Sequence, residues 1–190
     1  MIALPGPAIS DEPAWPPGIL LTALSGDWND SGQNDLAVLV DDGNGAADLL
    51  IYAGAMDGLR LVERVPGAIV NGAMAGQRPT IEPRSASSFM LRVEWLGIGR
   101  TPWIGEVTIA HRSDAFVVAG FTHRFVDRLD PERHGRCDAN LLSGSWEGDF
   151  TQATGQPTRQ RQGQDGPRAF PVSALNEDYF PDVCLELFAE

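Results

Sequence analysis

The residues best suited to chemistry in this chain are oxygen-bearing side chains that alternate between positions 25 and 36. A glycine at position 32 allows the sharp bend that brings such oxygens together. Hard divalent cations prefer several oxygen ligands from one loop, and calcium is the ion that best fits this spacing. The spacing therefore predicts a calcium site. Its predicted ligands are the side chains of Asp27, Asn29, Ser31 and Asp35 and the backbone carbonyl of Gln33.

A second interpretation of the same segment needs no metal. Asp, Asn and Ser side chains also accept hydrogen bonds from backbone N–H groups nearby, which stabilises a turn. The segment would then be a polar turn between two strands. We favour the ion site because the alternation of ligand residues from Asp27 to Ser31 is strict.

No set of residues meets the geometric requirement of a familiar type of catalysis. Ser145 lies in Gly-Ser-Trp-Glu-Gly, which misses the Gly-x-Ser-x-Gly nucleophile elbow by one position. His111 and His123 lie on a predicted hairpin whose pairing keeps them apart, and His134 lies in a polar link. We interpret the best acidic cluster as solvated loop residues; it contains Asp127, Asp130 and Glu132. We therefore expect a protein that is not an enzyme, with a catalytic carboxylate pair as the alternative that the sequence leaves open, because the separation of two carboxylates depends on the fold.

Cys137 and Cys184 are the two cysteines of the chain. An even count allows one disulfide, which favours an oxidising compartment, and two buried free thiols are the alternative. We predict the disulfide. No Cys-x-x-Cys motif supports a structural zinc site or a dithiol redox centre.

Apolar runs on both sides of the acidic loop predict the strands that hold it. Residues 18–24 predict a strand that enters the loop, and residues 36–40 predict one that leaves it. Residues 41–45 form a predicted turn because Gly and Asn tolerate positive φ, and residues 48–53 then run back. The last two runs are apolar at successive positions, which is typical of strands covered on both faces.

The rest of the chain predicts more short strands. Alternating patterns indicate strands at 59–63 and 89–96, and a hairpin of residues 105–112 and 115–126 turns at Ser113 and Asp114. Further predictions are loops at 66–83 and 148–168, a strand at 139–142 and a short helix within 176–188. The predicted fold class is mainly β: an antiparallel meander or sandwich of about eight to ten short strands with blade-like hairpins and one short C-terminal helix.

Composition indicates how the chain is organised. A length of 190 residues with 43% hydrophobic content is enough for one core. We therefore divide the chain into a Pro-rich leader, residues 1–17, and a single β-rich domain, residues 18–190. The formal charge of −12 argues against nucleic acid or an anionic membrane as partner.

No apolar run approaches the roughly 20 residues that cross a bilayer. The first residues lack the basic and apolar regions of an export signal. We interpret the Pro-rich start as that of a mature exported protein behind a cloning methionine, and a loose tail on a cytosolic protein is the alternative.

The acidic loop resembles the calcium loops of FG-GAP repeats, also known from VCBS-type and integrin-type proteins. Their pattern Asp-x-Asx-x-Asx-Gly-x-x-Asp-Leu is matched by Asp27, Asn29, Ser31, Gly32, Asp35 and Leu36. An EF-hand fits less well because Val38 occupies the position of its bidentate Glu. The resemblance covers about thirty residues and implies one calcium. Two carboxylates imply low affinity, in the ~10⁻⁴ to 10⁻³ M range of extracellular modules.

One loop without further copies predicts a meander or sandwich instead of a closed propeller. The second half of the chain also resembles parts of small uncharacterised bacterial secreted proteins, a resemblance that implies no activity.

Two functions of different classes follow from these patterns. The first is a non-enzymatic binding or interaction module in the periplasm or outside the cell, with another protein as the expected partner and calcium stabilising the loop. The second is a small acidic inhibitor or immunity-type protein that binds a basic hydrolase. The sequence does not identify the partner.

Overall fold

A computed structural model describes residues 19–74, 76–97 and 99–189 of the chain. The predicted Pro-rich leader lies outside the described residues. Within them the protein is mainly β, with two antiparallel sheets and one short C-terminal helix, so the predicted fold class is confirmed. None of the helices in the described ranges is long and apolar enough to cross a membrane.

The four-stranded sheet contains the first strands in chain order, so each strand pairs with the next. Its strands are β1 (Leu20–Gly26), β2 (Asp35–Asp41), β3 (Ala46–Ala55) and β4 (Gly58–Val70). The predicted turn between β2 and β3 is present: Gly43 and Gly45 have positive φ, and Asp42 accepts hydrogen bonds from two backbone N–H groups of the turn. The acidic loop connects β1 to β2, and strands flank it as the sequence predicted.

The eight-stranded sheet contains the later strands, again mostly as a meander. Its strands are β5 (Thr80–Ser85), β6 (Ser88–Trp95), β7 (Trp103–Arg112), β8 (Ala115–Val126), β9 (His134–Asn140), β10 (Ser145–Thr151), β11 (Arg159–Gly163) and β12 (Phe170–Pro171). Strand β12 pairs with β8 beyond the end of β9. The hairpin of β7 and β8 turns at Ser113 and Asp114, as predicted.

Both sheets bury side chains in one hydrophobic core. Leu39 and Ile51 enter it from the four-stranded sheet, and Phe89 and Leu91 enter it from the eight-stranded sheet. Trp28, from the acidic loop, contacts Phe89 with ring centroids 4.6 Å apart. The loop is therefore anchored in the core that joins the two sheets.

A smaller cluster lies on the opposite face of the four-stranded sheet. Val38, Val40 and Leu50 are almost fully buried there. Their neighbours Leu39 and Leu49 are buried in the main core, so β2 and β3 have apolar residues on both faces. This observation confirms the two-faced pattern predicted for these strands.

The C-terminal part packs on the eight-stranded sheet. After a 3₁₀ turn at Val172–Ala174, helix α1 (Asp182–Ala189) lies against β9 and β10. Cys137 of β9 and Cys184 of α1 form a disulfide with their Cα atoms 5.6 Å apart. The predicted disulfide is confirmed, and so is the short C-terminal helix.

Several predicted boundaries were wrong. The predicted loops at 66–83 and 148–168 contain the end of β4, the first part of β5, the end of β10 and all of β11, and the strand predicted at 59–63 continues to Val70. The described residues form twelve strands, more than the eight to ten expected. Gly, Ala and Pro residues misled the prediction at 66–83, and polar side chains misled the one at 148–168, since edge strands such as β11 pair through backbone groups and need no apolar face.

Candidate functional site

The acidic loop closes on itself through hydrogen bonds from its own backbone. Ser31 N–H donates to Asp27 Oδ1 (2.9 Å) and to Asn29 Oδ1 (3.0 Å), and Gly32 N–H donates to Asp27 Oδ2 (2.9 Å). Gly32 has a φ of +79° and Asp30 has a φ of +56°. These bends bring the oxygens of alternate residues to one side of the loop.

Two further predicted ligands lie on the exposed part of this loop. Ser31 Oγ lies 3.4 Å from the backbone oxygen of Gln33. A carboxylate or carbonyl oxygen has two acceptor directions, so one N–H bond leaves the second direction free on Asp27 and Asn29. The structure therefore brings Asp27, Asn29, Ser31 and the Gln33 carbonyl together, and their chemistry fits a hard cation.

Asp35 has a different environment from the other four residues. Its side chain is fully buried, and it accepts hydrogen bonds from Trp28 N–H (3.1 Å), Asn29 Nδ2 (3.1 Å) and Gly54 N–H (3.0 Å). Oδ1 receives two of these bonds, while Oδ2 receives one and keeps one acceptor direction. Asp35 thus fixes the base of the loop, with one hydrogen bond to Oδ2 and two to Oδ1.

The negative charges of the loop have no basic partner in the part of the chain that the structure describes. Among the described residues, no ion pair includes Asp27, Asp30 or Asp35. A buried carboxylate needs hydrogen bonds, an opposite charge or a metal ion to offset the loss of hydration. Asp35 has the hydrogen bonds, and the loop as a whole has an unbalanced negative charge.

Gly54 is a residue of this site that the sequence interpretation missed. A Cβ at this position would lie 2.8 Å from the backbone carbon of Asn34, so only glycine lets β3 approach the loop closely enough for its N–H to reach Asp35. It lies 19 residues beyond Asp35, and no local pattern indicates the contact.

A cleft of about 570 Å³ adjoins the loop and shares Asn29 with it. Its walls come from β4 and from the turn between β7 and β8, and they carry Arg60, Glu63, His111 and Asp114 beside the apolar Leu61 and Phe116. Sequence interpretation considered only His111 among these charged groups, because their proximity arises from the packing of two sheets.

The other candidates for chemistry have structural roles. Asp127 is buried and accepts a hydrogen bond from Arg100 Nε (2.8 Å), which holds the pKa of that carboxyl below its usual value. Asp130 and Glu132 accept hydrogen bonds from the turn at Thr154 and Gly155. The three acids therefore hold loops, and the interpretation as solvated residues was wrong for Asp127, which is buried, whereas Glu132 is exposed as expected.

The three histidines do not meet. His111 contacts Phe116 with ring centroids 5.0 Å apart, as the predicted hairpin pairing requires. His123 is instead enclosed by Trp103, Phe125, Phe180 and Phe188, and burial lowers its pKa to about 4. Within the described ranges, no group of three or more His, Cys, Asp or Glu side chains is arranged to hold a metal ion.

No protein-family model, curated protein or solved structure matches this chain. The fold and the loop define a mainly β protein of two antiparallel sheets with a core-anchored acidic loop, and the resemblance of that loop to FG-GAP repeats stays a prediction.

Proposed function

We propose that this protein is a non-enzymatic binding or interaction module whose acidic loop is stabilised by calcium. The observation that carries the proposal is the convergence of Asp27 Oδ1 and Asn29 Oδ1 on one backbone nitrogen, that of Ser31. Two side-chain oxygens about 3 Å from the same atom are close enough to share one ion, and both keep a free acceptor direction.

The proposed ligand set uses the residues named by the spacing. Asp27, Asn29, Ser31 and the Gln33 carbonyl supply oxygens from the exposed part of the loop, and Asp35 Oδ2 adds the acceptor direction that its backbone contact leaves free. A bound calcium would balance two carboxylates that have no basic partner among the described residues. It would also connect β1 to β2 through the loop.

We place this module outside the cytosol, in the periplasm or the extracellular medium. The disulfide between Cys137 and Cys184 is compatible with an oxidising compartment. A loop with only two carboxylate ligands needs the roughly millimolar calcium of such media for high occupancy.

A thermal melt with calcium and with chelator tests this function. For a Kd of ~10⁻⁴ M, calcium at ~1 mM adds about 1.4 kcal/mol to the native state. This corresponds to a rise in Tm of about 3–5 °C for a protein of this size. We expect the rise in the unaltered protein and less than about 1 °C in Asp27→Asn, which keeps the shape of the side chain and removes its charge.

Asp42→Asn is the matched control. Asp42 also accepts two backbone N–H bonds in a turn, from Asn44 and Ala46, but it lies outside the proposed ligand set. Its variant should keep the full calcium response. An unaltered protein whose Tm is the same in calcium and in chelator would contradict the proposal.

An exposed apolar tip favours a second candidate, an acidic inhibitor or immunity-type protein. Met56, at the tip of the hairpin of β3 and β4, is 97% exposed, and Leu59 and Leu61 beside it are 52% and 39% exposed. Such a tip on a chain with a net charge of −12 suits a partner with an apolar pocket and a basic rim. This binding should weaken from 50 to 500 mM salt and persist in chelator, whereas a calcium-dependent contact should be lost in chelator.

A further inference from the structure

The cleft beside the acidic loop has two opposite charges on one wall because of a β-bulge. Arg60 pairs with Ala53 of β3, and Glu63 pairs with Ile51, so Val62 is the extra residue between them. Directly paired residues share a face of a sheet, and so do Ala53 and Ile51, which are two residues apart. Arg60 and Glu63 therefore lie on the same face as Ile51, which is the face turned toward the eight-stranded sheet.

The opposite wall is the turn between β7 and β8. Ser113 and Asp114 occupy it with φ values of +49° and +62°, a conformation that non-glycine residues rarely adopt. Asp114 faces the cleft there, and the ring of His111 lies against Phe116, which is buried below. The cleft thus has an apolar floor between two polar walls.

The charges of this cleft are not used within the described part of the fold. None of the side chains of Arg60, Glu63, His111 and Asp114 has a hydrogen bond or an ion pair among the described residues. A second depression, beside β10 and β11, differs in this respect, since its Arg136 lies 3.7 Å from Glu147. The cleft acids and His111 also do not gather around one point, as a metal ion would require.

We propose that this cleft binds a short zwitterionic peptide with free amino and carboxyl ends. The guanidinium of Arg60 binds the carboxylate of the peptide, Glu63 and Asp114 bind its ammonium group, and Val62 and Phe116 contact its apolar side chains. The volume of about 570 Å³ lies within the range of small-ligand sites and holds a dipeptide. This inference rests on the proposed function, since it names the ligand of the binding module.

Calorimetric titration with three related probes tests the assignment of ligand ends. The probes are leucyl-leucine, its N-acetylated form and its C-terminal amide, each titrated at ~1 mM calcium. We expect leucyl-leucine to bind at millimolar concentration or better. Each capped form should bind about tenfold more weakly, because one charge-assisted hydrogen bond is lost.

Two variants connect each end of the peptide to a side chain. Arg60→Gln should lower the affinity for leucyl-leucine about tenfold. It should leave the affinity for the C-terminal amide unchanged, because the amide has no carboxylate for Arg60 to bind. Glu63→Gln should lower the affinity for leucyl-leucine by a similar factor and leave the affinity for the N-acetylated form unchanged. Arg124→Gln and Glu186→Gln remove the same charges from exposed positions away from the cleft, and both should bind like the unaltered protein.

The proposal is overturned if leucyl-leucine gives no binding heat up to 10 mM, if the capped probes bind equally well, or if Arg60→Gln and its control behave alike. The calcium-dependent rise in Tm is measured on the same samples. If calcium still raises Tm but no peptide binds, the peptide assignment is wrong and the proposal of a calcium-stabilised loop is unaffected. If calcium does not raise Tm and no peptide binds, the proposed function is wrong as well.

Discussion

Asp35 is the residue that shapes the acidic loop, whether or not an ion is bound. It is buried and accepts hydrogen bonds from three N–H groups in two parts of the chain, Trp28 and Asn29 in the loop and Gly54 on β3. Hydrogen bonds to a charged group contribute more than neutral ones, and a buried donor left without its acceptor costs further free energy. The loop therefore depends on a residue that the solvent does not reach.

We predict that Asp35→Asn lowers the free energy of unfolding by about 2–4 kcal/mol in calcium-free buffer. The amide group of asparagine would place a donor against the N–H of Trp28 or of Gly54. Urea denaturation measures the loss. Asp41→Asn is the control, because Asp41 accepts a single N–H bond, from Gly43 in an exposed turn, and its variant should change stability by less than about 1 kcal/mol. Equal effects of the two substitutions would show that Asp35 has no special role.

His123 gives the protein a predictable dependence on pH. Burial among aromatic rings lowers its pKa to about 4, whereas an unfolded histidine titrates near pH 6.5. Between these values the unfolded state binds a proton that the folded state does not bind, so stability falls as the pH falls from about 6.5 to 4. The resulting decrease in the free energy of unfolding is on the order of 3 kcal/mol near pH 4.

The variant His123→Phe should remove this dependence because it cannot take up a proton. Urea denaturation measures the free energy of unfolding at pH 7.5 and at pH 4.5. The decrease between these pH values should be about 2–3 kcal/mol smaller for the variant than for the unaltered protein. His134→Gln is the control at a more exposed histidine, and it should keep the full loss. Identical losses in all three proteins would exclude His123 as the cause.

Helix α1 is held on the eight-stranded sheet by a covalent bond and by close packing. Its Cys184 is joined to Cys137, and its Leu187 lies over Gly148 of β10. A Cβ at position 148 would overlap Leu187 and would lie 2.7 Å from the backbone oxygen of Arg136. The helix can approach the sheet this closely only where β10 has no side chain.

We predict that Gly148→Ala lowers the free energy of unfolding by about 2–3 kcal/mol, because either the helix or the strand must shift. Urea denaturation measures the change, and limited proteolysis reports whether the C-terminal segment is released. Gly97→Ala is the control, since a Cβ there meets no atom within 4 Å. Equal stability of Gly148→Ala and Gly97→Ala would contradict the close packing of α1 against β10 at this position.

At the scale of the whole molecule, the two sheets depend on one core. Residues of both sheets belong to the same buried cluster, and the contact of Trp28 with Phe89 joins them beside the acidic loop. Neither sheet can lose its partner without exposing a large apolar face. The acidic loop and the cleft are therefore both attached to the core that the two sheets share.

We predict that the disulfide-bonded protein unfolds in a single transition. Tryptophan fluorescence and far-ultraviolet circular dichroism should give the same urea midpoint, because separation of the sheets and loss of strand pairing are one event. Trp28→Ala should lower the free energy of unfolding by about 3–5 kcal/mol and preserve the coincidence of the two probes. Two separate midpoints would mean that the sheets are independent units.

Prediction from sequence succeeded where side-chain periodicity carries the signal. The alternation at Phe89 and Leu91 and the hairpin at Ser113 and Asp114 were both predicted correctly, because an inward face and a tight turn are local properties. Prediction failed at β11, where Arg and Gln residues pair through the backbone at a sheet edge. Arg159 in that strand still lies over the ring of Phe150, at 5.1 Å, a contact that residue type alone does not indicate.

The candidate site divides in the same way. The spacing of Asp27, Asn29 and Ser31 is a property of consecutive residues, and the sequence alone determined that these oxygens could share one loop between two strands. The burial of Asp35 against Gly54 and the placement of Arg60 and Asp114 on opposite walls of one cleft were decided only by the tertiary structure. The physical reason is that these pairs are distant in the chain, and only the packing of two sheets on one core brings them together.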